Sequence, residues 1–400
     1  MSPLSYMRLL PYDLGMSRRL GFSLVLVLVA FASVAARAEG GAQEGLRLND
    51  VQARGTHNSY HRDPKFPGRD ADQLGWDYSR KPLPNQFEEQ DVRQVELDVH
   101  YNWARDDFEV YHAWFADDRT TCELLSECLA LLRSWSDAHP TAHPIAVLIE
   151  PKDAGPPKNT ELPENGDPFT RPFTAAEYDK LDRVLFDAFG GALADGGRVI
   201  TPDDVTTAGK TLRDSITTDG WPLLDTLRGD VLYLLDGSDH AEPYSDGWTS
   251  LAGRAMFVQA EPEQAVAAFV GRDGARLAGE DKYGRMQRLV AQGFMVRDLV
   301  SPSEFDVAKA AGAHFLSTDA PDELILSASP GAPSRCNPVT TVARSCDDLS
   351  IETHAHTPGY EPPPDTTSDE TDQVLYEKAD RLVVRSVESA AEYLGLPSGS

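Results

Sequence analysis

Eight short apolar runs, each stopped by a polar or turn residue, constrain the fold of this chain more than any other feature. They are Val51–Thr56, Gln94–Val99, Phe108–His112, Pro144–Glu150, Val231–Asp236, Ala255–Val258, Gly293–Arg297 and His314–Ser317. Each is rich in Val, Ile, Leu or aromatic residues, as buried strands are. Helical patterns lie between several of them. Cys122–Ala138 carries Leu124, Leu125, Cys128, Leu131, Leu132 and Trp135 at helical spacing, and Ala175–Phe189 places Tyr178, Leu181, Leu185 and Phe189 on one face. Pro262–Ala278, Lys282–Gln292 and Ser303–Ala311 complete the set. Strands that alternate with helices favour a parallel sheet under helical cover. Eight of them favour a closed α/β barrel of the TIM-like (β/α)8 type over an open sheet, and no repeat of fixed period competes with that reading.

The two ends of the chain read differently. Arg18 and Arg19 precede an apolar run from Leu20 to Ala36 that exits through Ala36-Arg37-Ala38. A basic start, a short greasy core and an A-x-A exit predict a secretory signal peptide over 1–38, hence a secreted or periplasmic protein. The alternative is a membrane anchor, but the run falls short of the ~20 residues that span a bilayer. The formal charge of −27 loses four arginines and one aspartate with that leader and becomes −30. So acidic a surface argues against nucleic-acid partners and against long-range attraction to anionic membranes. By itself the acidity is a solvated surface.

Four cysteines remain, an even number for an oxidising compartment. Their proximity predicts two local disulfides, Cys122 with Cys128 and Cys336 with Cys346. The barrel pattern fills 46–330, a disulfide-tied extension follows over 331–349, and a Pro-, Thr- and acid-rich stretch over 350–371 reads as a disordered linker. Helical periodicity returns over 372–396 through Val374, Leu375, Ala379, Leu382 and Val383. Nothing in the pattern calls for an oligomer, and a monomer is expected. The segment from Pro151 to Phe173 has no periodicity. As a long loop after the fourth strand it reads either as substrate rim or as surface excursion.

The chemistry-bearing residues gather where the first four runs stop. They are Gly55-Thr56-His57-Asn58, Glu96-Leu97-Asp98, Val110-Tyr111-His112 and Leu148-Ile149-Glu150. In a barrel these stops share one face. Glu96 and Asp98, two apart on a strand, point to the same side. Two inward carboxylates repel each other and resist burial unless a cation is present. Asn58 adds an amide oxygen and Glu150 a third carboxylate, an all-oxygen set suited to a hard cation such as calcium or magnesium. His57 and His112 flank the same pocket with groups that transfer protons near neutral pH. A lone histidine at a strand end is usually structural; two of them beside three carboxylates reverse that expectation. His61, His100, His139, His143, His240, His354 and His356 lack this context and read as surface or structural positions, and His314 as pocket lining or core. Asp236 and Asp319 end strands and are secondary candidates for orienting a ligand. Trp221 reads as packing, and Arg93 as a structural residue paired with a carboxylate.

Taken in order, these motifs resemble the calcium-dependent phosphoinositide-specific phospholipase C family of bacteria, within the PLC-like phosphodiesterases. The likeness lies in His57-Asn58, in Arg93 with Glu96-Leu97-Asp98, in His112 after a short strand and in Glu150. It extends through Gly220-Trp221-Pro222, Gly293–Arg297, Phe315-Leu316-Ser317-Thr318-Asp319 and Arg335-Cys336-Asn337-Pro338, about residues 46–346. The resemblance implies a Ca2+ ion held by Asn58, Glu96, Asp98 and Glu150. It also implies attack of an inositol 2-hydroxyl on phosphorus, with His57 and His112 moving protons. The substrate would be a phospholipid or a soluble inositol phosphodiester, met in transient contact with a membrane surface. One departure stands out: Arg297-Asp298-Leu299 lacks the family's second basic residue, so phosphate binding is expected to fall to Lys152 and Arg297. Two competitors remain. A glycerophosphodiester phosphodiesterase shares the barrel, two histidines and a metal, but pairs its first histidine with Arg-Gly, unlike His57-Asn58. A non-catalytic lipid- or sugar-binding barrel predicts the loss of a histidine or ligand, and none is missing.

Overall fold

A computed structural model describes residues 45–63, 75–114, 117–152, 170–271, 281–324 and 333–341, with isolated positions at 326, 351, 360–362 and 364. The leader, most of the 151–173 loop, Cys346, most of the 350–371 linker and the terminal helix reading all lie outside them. Eleven strands are described: β1 (Val51–Thr56), β2 (Val92–Asn102), β3 (Asp107–Val110), β4 (Ile145–Pro151), β5 (Val199–Ile200), β6 (Val231–Leu235), β7 (Met256–Val258), β8 (Phe269–Val270), β9 (Met295–Leu299), β10 (Phe315–Thr318) and β11 (Ser334–Cys336).

The parallel ladder runs β6-β4-β2-β1-β10-β9-β8, with β7 on the other side of β6. A single parallel bridge between Gln259 and Phe269 links the end of β7 to β8. The two-residue β5 also pairs parallel with the start of β6, and the other eight parallel strands curl into the TIM-like barrel expected for α/β alternation. β4 and β6 are near-continuous apolar runs because both faces of a parallel sheet are covered. Val95, Leu97, Val147, Ile149, Leu232 and Leu234 are all buried.

Two expectations are corrected. Phe108–His112 does not supply a barrel strand. The connection from β2 is only Trp103–Asp106, too short for a parallel crossover, so β3 folds back antiparallel on β2 with Val110 opposite Val99. The eighth strand is instead β8, inside the stretch read as helix Pro262–Ala278. There Phe269 and Val270 are fully buried and pair with Met295 and Val296.

The outer helices follow their sequence signals closely. The helix Ala175–Phe189 is capped by Thr174, whose side chain accepts from Ala176 N–H, with Glu177 closing a capping box. It ends at Gly190, whose φ of 78° is the left-handed conformation that suits glycine. Its buried face is Tyr178, Leu181, Leu185 and Phe189, with Asp182. Each such apolar side chain contributes about 1.5–3 kcal/mol on burial. The Cys122–Cys128 disulfide ties the first turn of the helix Leu125–Ala138 to the segment before it, and the helix buries Leu125, Cys128, Leu129, Leu132 and Trp135. After the barrel, β11 returns antiparallel to β1, with Cys336 opposite Val51. Among the described residues no helix is long and apolar enough to cross a membrane.

Candidate active site

The loop after β1 stays attached to β2. Ser59 N–H donates to the Glu96 carbonyl at 3.0 Å, and Glu96 N–H donates to Ser59 Oγ at 2.8 Å. Gln86 Nε2 donates to the Ser59 and Lys81 carbonyls at 2.6 and 2.7 Å. Inside this clamp Asn58 takes a φ of 45°, a left-handed conformation that Asn tolerates better than most residues. Its buried amide donates to Tyr78 Oη at 3.3 Å and accepts from Tyr60 Oη at 3.5 Å.

Parallel register then gathers the carboxylates. Asp98 on β2 sits opposite Glu150 on β4, and Glu96 lies two residues before it. One oxygen from each of Glu96, Asp98 and Glu150 falls within 4.8 Å of the others. Glu96 and Asp98 are 2% and 0% exposed. Burial raises the Glu96 carboxyl although Arg297 and His57 oppose it, and raises Asp98 to about 6 against Lys152. Tyr60 is raised too, first by burial and then by the charge of Asp98. Glu150 moves the other way: burial works to raise it, but the ammonium of Lys152 outweighs that and holds it low. Three carboxylates and an amide are hard oxygen donors, and their burial costs energy that a divalent cation would offset. The residues present fit calcium.

The two cations expected on phosphate sit on these carboxylates. Lys152 Nζ is 2.5 Å from Glu150 Oε1 and 3.1 Å from Asp98 Oδ2. Arg297, buried on β9, donates through Nη2 to Glu96 Oε2 and at 3.1 Å to Ser317 Oγ. Its Nη1 is 3.9 Å from Asp236 Oδ2.

Each histidine of the pocket is held by its own carboxylate. His57 Nδ1 lies 2.9 Å from Asp319 Oδ1, and its Nε2 lies 3.9 Å from Glu96 Oε1. Burial opposes its protonation, but Glu96 and Asp319 prevail and raise its pKa. Arg80 locks the pair, reaching Asp319 Oδ1 at 2.6 Å, the Asp319 carbonyl at 2.8 Å and the His57 carbonyl at 3.1 Å. His112 Nδ1 lies 2.7 Å from Asp117 Oδ2, and Trp76 meets its ring edge-on at 5.3 Å. Burial would raise Asp117, but His112 and His61 hold it low.

His61, read as surface or structural, is a fully buried support. Its Nε2 is 2.8 Å from both Asp117 oxygens, and its Nδ1 is 3.0 Å from the Tyr78 carbonyl. His100 and His314 are core residues, held low at about 3 and about 4 by burial. Trp221 is packing, tilted against Phe257 with ring centroids 5.4 Å apart and donating to the Gly293 carbonyl. Arg93 lies over the Trp135 ring at 4.6 Å and donates to the Val92 and Phe87 carbonyls. Asp117 and Arg80 escaped the sequence reading. The only signal for Asp117 was an acidic pair, Asp117-Asp118, five residues after His112.

Comparison with known proteins follows the same lines. The family described as Phosphoinositide phospholipase C, Ca2+-dependent, matches residues 46–104 and 100–329. No curated protein matches the chain. Among solved structures, the apo calcium-dependent phosphoinositol-specific phospholipase C from a Gram-negative bacterium, Pseudomonas sp., aligns with a TM-score of 0.50 at 15% identity, over 74% of this chain and 97% of that one. Its myoinositol complex gives 0.50 and 15%, over 74% and 96%. The Ca2+-dependent phosphatidylinositol-specific enzyme from Streptomyces antibioticus gives 0.46 at 17% identity, over 69% and 96%. At these identities the structural likeness speaks to the fold alone.

Proposed function

The chain belongs to the calcium-dependent phosphoinositide phospholipase C family, whose members are phosphodiesterases acting on phosphoinositides, and we propose that it cleaves phosphatidylinositol-type lipids by intramolecular attack of the inositol 2-hydroxyl. The observation that carries this reading is the meeting of three carboxylates within 4.8 Å, with His57 Nε2 3.9 Å from Glu96 Oε1 and with His57 and His112 each held by a further carboxylate.

Asn58, Glu96, Asp98 and Glu150 are the proposed ligands. Calcium bound there would neutralise a phosphoryl oxygen and acidify the attacking hydroxyl. His57, whose protonated form is favoured by Glu96 and Asp319, donates to a phosphoryl oxygen. His112 gives its Nε2 proton to the departing glyceryl oxygen, while Asp117 stabilises and aims its ring. The new bond joins the inositol 2-oxygen to phosphorus, its proton passing to a carboxylate of the Glu96, Asp98 and Glu150 group, as the bond to diacylglycerol breaks, leaving a cyclic phosphodiester that water can open. Lys152 and Arg297 are assigned first to the carboxylates they touch, and to phosphate through the positive charge they keep at the pocket.

Export under the 1–38 leader, transient contact with a lipid surface and action as a monomer complete the proposal. The division into a barrel over 46–330 and a tied extension over 331–349 belongs to it as well. N-terminal sequencing of protein from the culture medium tests export; a start at Glu39 is expected.

Phosphatidylinositol, lysophosphatidylinositol and glycerophosphocholine offered with calcium or with chelator test the activity. Release of inositol phosphates from the first two, abolished by chelator, is expected. Cleavage of the choline ester alone would contradict the proposal.

A further inference from the structure

We propose that Lys152 is a tethered competitor for the calcium site, its ammonium group occupying the carboxylate pair that the metal needs and so setting the calcium concentration at which the enzyme loads. The inference rests on the assignment of Asn58, Glu96, Asp98 and Glu150 as metal ligands.

The backbone fixes where this lysine starts. β4 ends at Pro151, opposite Val99 of β2, and Lys152 N–H extends the ladder by donating to the Val99 carbonyl at 2.9 Å. The side chain therefore rises beside Asp98 and Glu150, and Nζ closes on them at 3.1 and 2.5 Å. Both contacts use oxygens of the three-carboxylate group. A metal cannot take the same lone pairs while the ammonium holds them, and at this range the two positive charges repel.

Arg297 does not play this part. Its guanidinium is buried and also tied to Ser317, with Asp236 near its other end. Lys152 differs in chemistry and setting. It is a compact charge on a flexible stem, and its side chain is 18% exposed, which leaves a way out toward solvent. Three carboxylates against Lys152 and Arg297 leave the empty group one negative charge in excess. Without the lysine the excess is two. The lysine thus keeps the empty site folded and must swing away for the site to fill. The occupied site gains an ammonium released near the pocket, and the empty site gains protection from its own repulsion.

Calorimetric titration of the full chain with calcium chloride, alongside melting curves in chelator, tests this. K152M should bind calcium about tenfold tighter or more than wild type, and should melt lower than wild type in chelator while regaining that loss in saturating calcium. K152Q, which drops the charge but keeps a donor, carries the same expectation and is read if K152M does not fold. Equal or weaker calcium binding in the variant, with wild type binding normally, overturns the role of Lys152 and leaves the metal site standing. Failure of both wild type and variants to bind calcium overturns the metal site, and the inference with it.

Discussion

Nδ1 of His112 lies 2.7 Å from Oδ2 of Asp117, a carboxylate with no exposed surface. The same carboxylate accepts from His61 Nε2 at 2.8 Å, so it is held from two sides and its ring partner cannot turn freely. With Nδ1 engaged, Nε2 is the nitrogen left for substrate. D117N keeps the shape and removes the charge that stabilises an imidazolium. Its kcat should fall about 10²–10⁴-fold with KM little changed. A kcat within a few-fold of wild type in steady-state assays on phosphatidylinositol would detach Asp117 from the reaction. H57A and H112A should each lose turnover on the same scale. A near-normal rate in either removes that histidine from the mechanism.

Asn58 combines an oxygen donor with a left-handed backbone at φ 45°. Substitution separates the two. N58G keeps the conformation at no steric cost and loses the amide; N58A loses both. Calcium affinity should fall in each, and since both lose the amide contacts with Tyr60 and Tyr78, N58A should be about 1 kcal/mol less stable than N58G in chelator. Equal stability of the two variants would show that the clamp by Ser59 and Gln86 does not hold Asn58 in that conformation.

Much of this was legible in the sequence, and the exceptions have physical causes. The strands through Val95, Leu148 and Leu234 announce themselves because both faces of a parallel sheet are buried. An apolar run does not say which way it runs, so Phe108–His112 read as a barrel strand when Asp107–Val110 is the return arm of a hairpin. β8 is two residues long, below what any periodicity resolves. Asn58, Glu96, Asp98 and Glu150 stood out because inward carboxylates need a reason. Asp117 and Arg80 sit in irregular loops, and only folding reveals that one aims His112 and the other ties Asp319 to His57. Lys152 and Arg297 were visible as charges, but their partners were not.

His314 makes stability depend on pH. Its buried ring accepts from Val296 N–H at 3.0 Å and reaches the Asn49 carbonyl at 2.9 Å. Burial lowers its pKa from an ordinary 6.5 to about 4. Between those values the unfolded chain binds the extra proton. The contribution is therefore complete above 6.5 and is lost as pH falls toward 4, by about 1.4 kcal/mol per unit for one group. Asp98 and Asp230, both raised to about 6 by burial, act with the opposite sign. The informative quantity is thus the difference between wild type and H314Q. The variant should be less stable at pH 7, and the gap should narrow as denaturant melts are repeated down to pH 4. A gap that stays constant would mean the ring is not buried in its neutral form.

The central claim is that Asn58, Glu96, Asp98 and Glu150 share one calcium ion between His57 and His112. A crystal structure grown in calcium, with anomalous scattering to identify the ion, tests it most directly. A single ion is expected, with all four side chains at about 2.3–2.6 Å and Lys152 Nζ withdrawn from Asp98 and Glu150. A cluster without an ion and with Lys152 still bridging it, or an ion bound elsewhere, would overturn the shared calcium site.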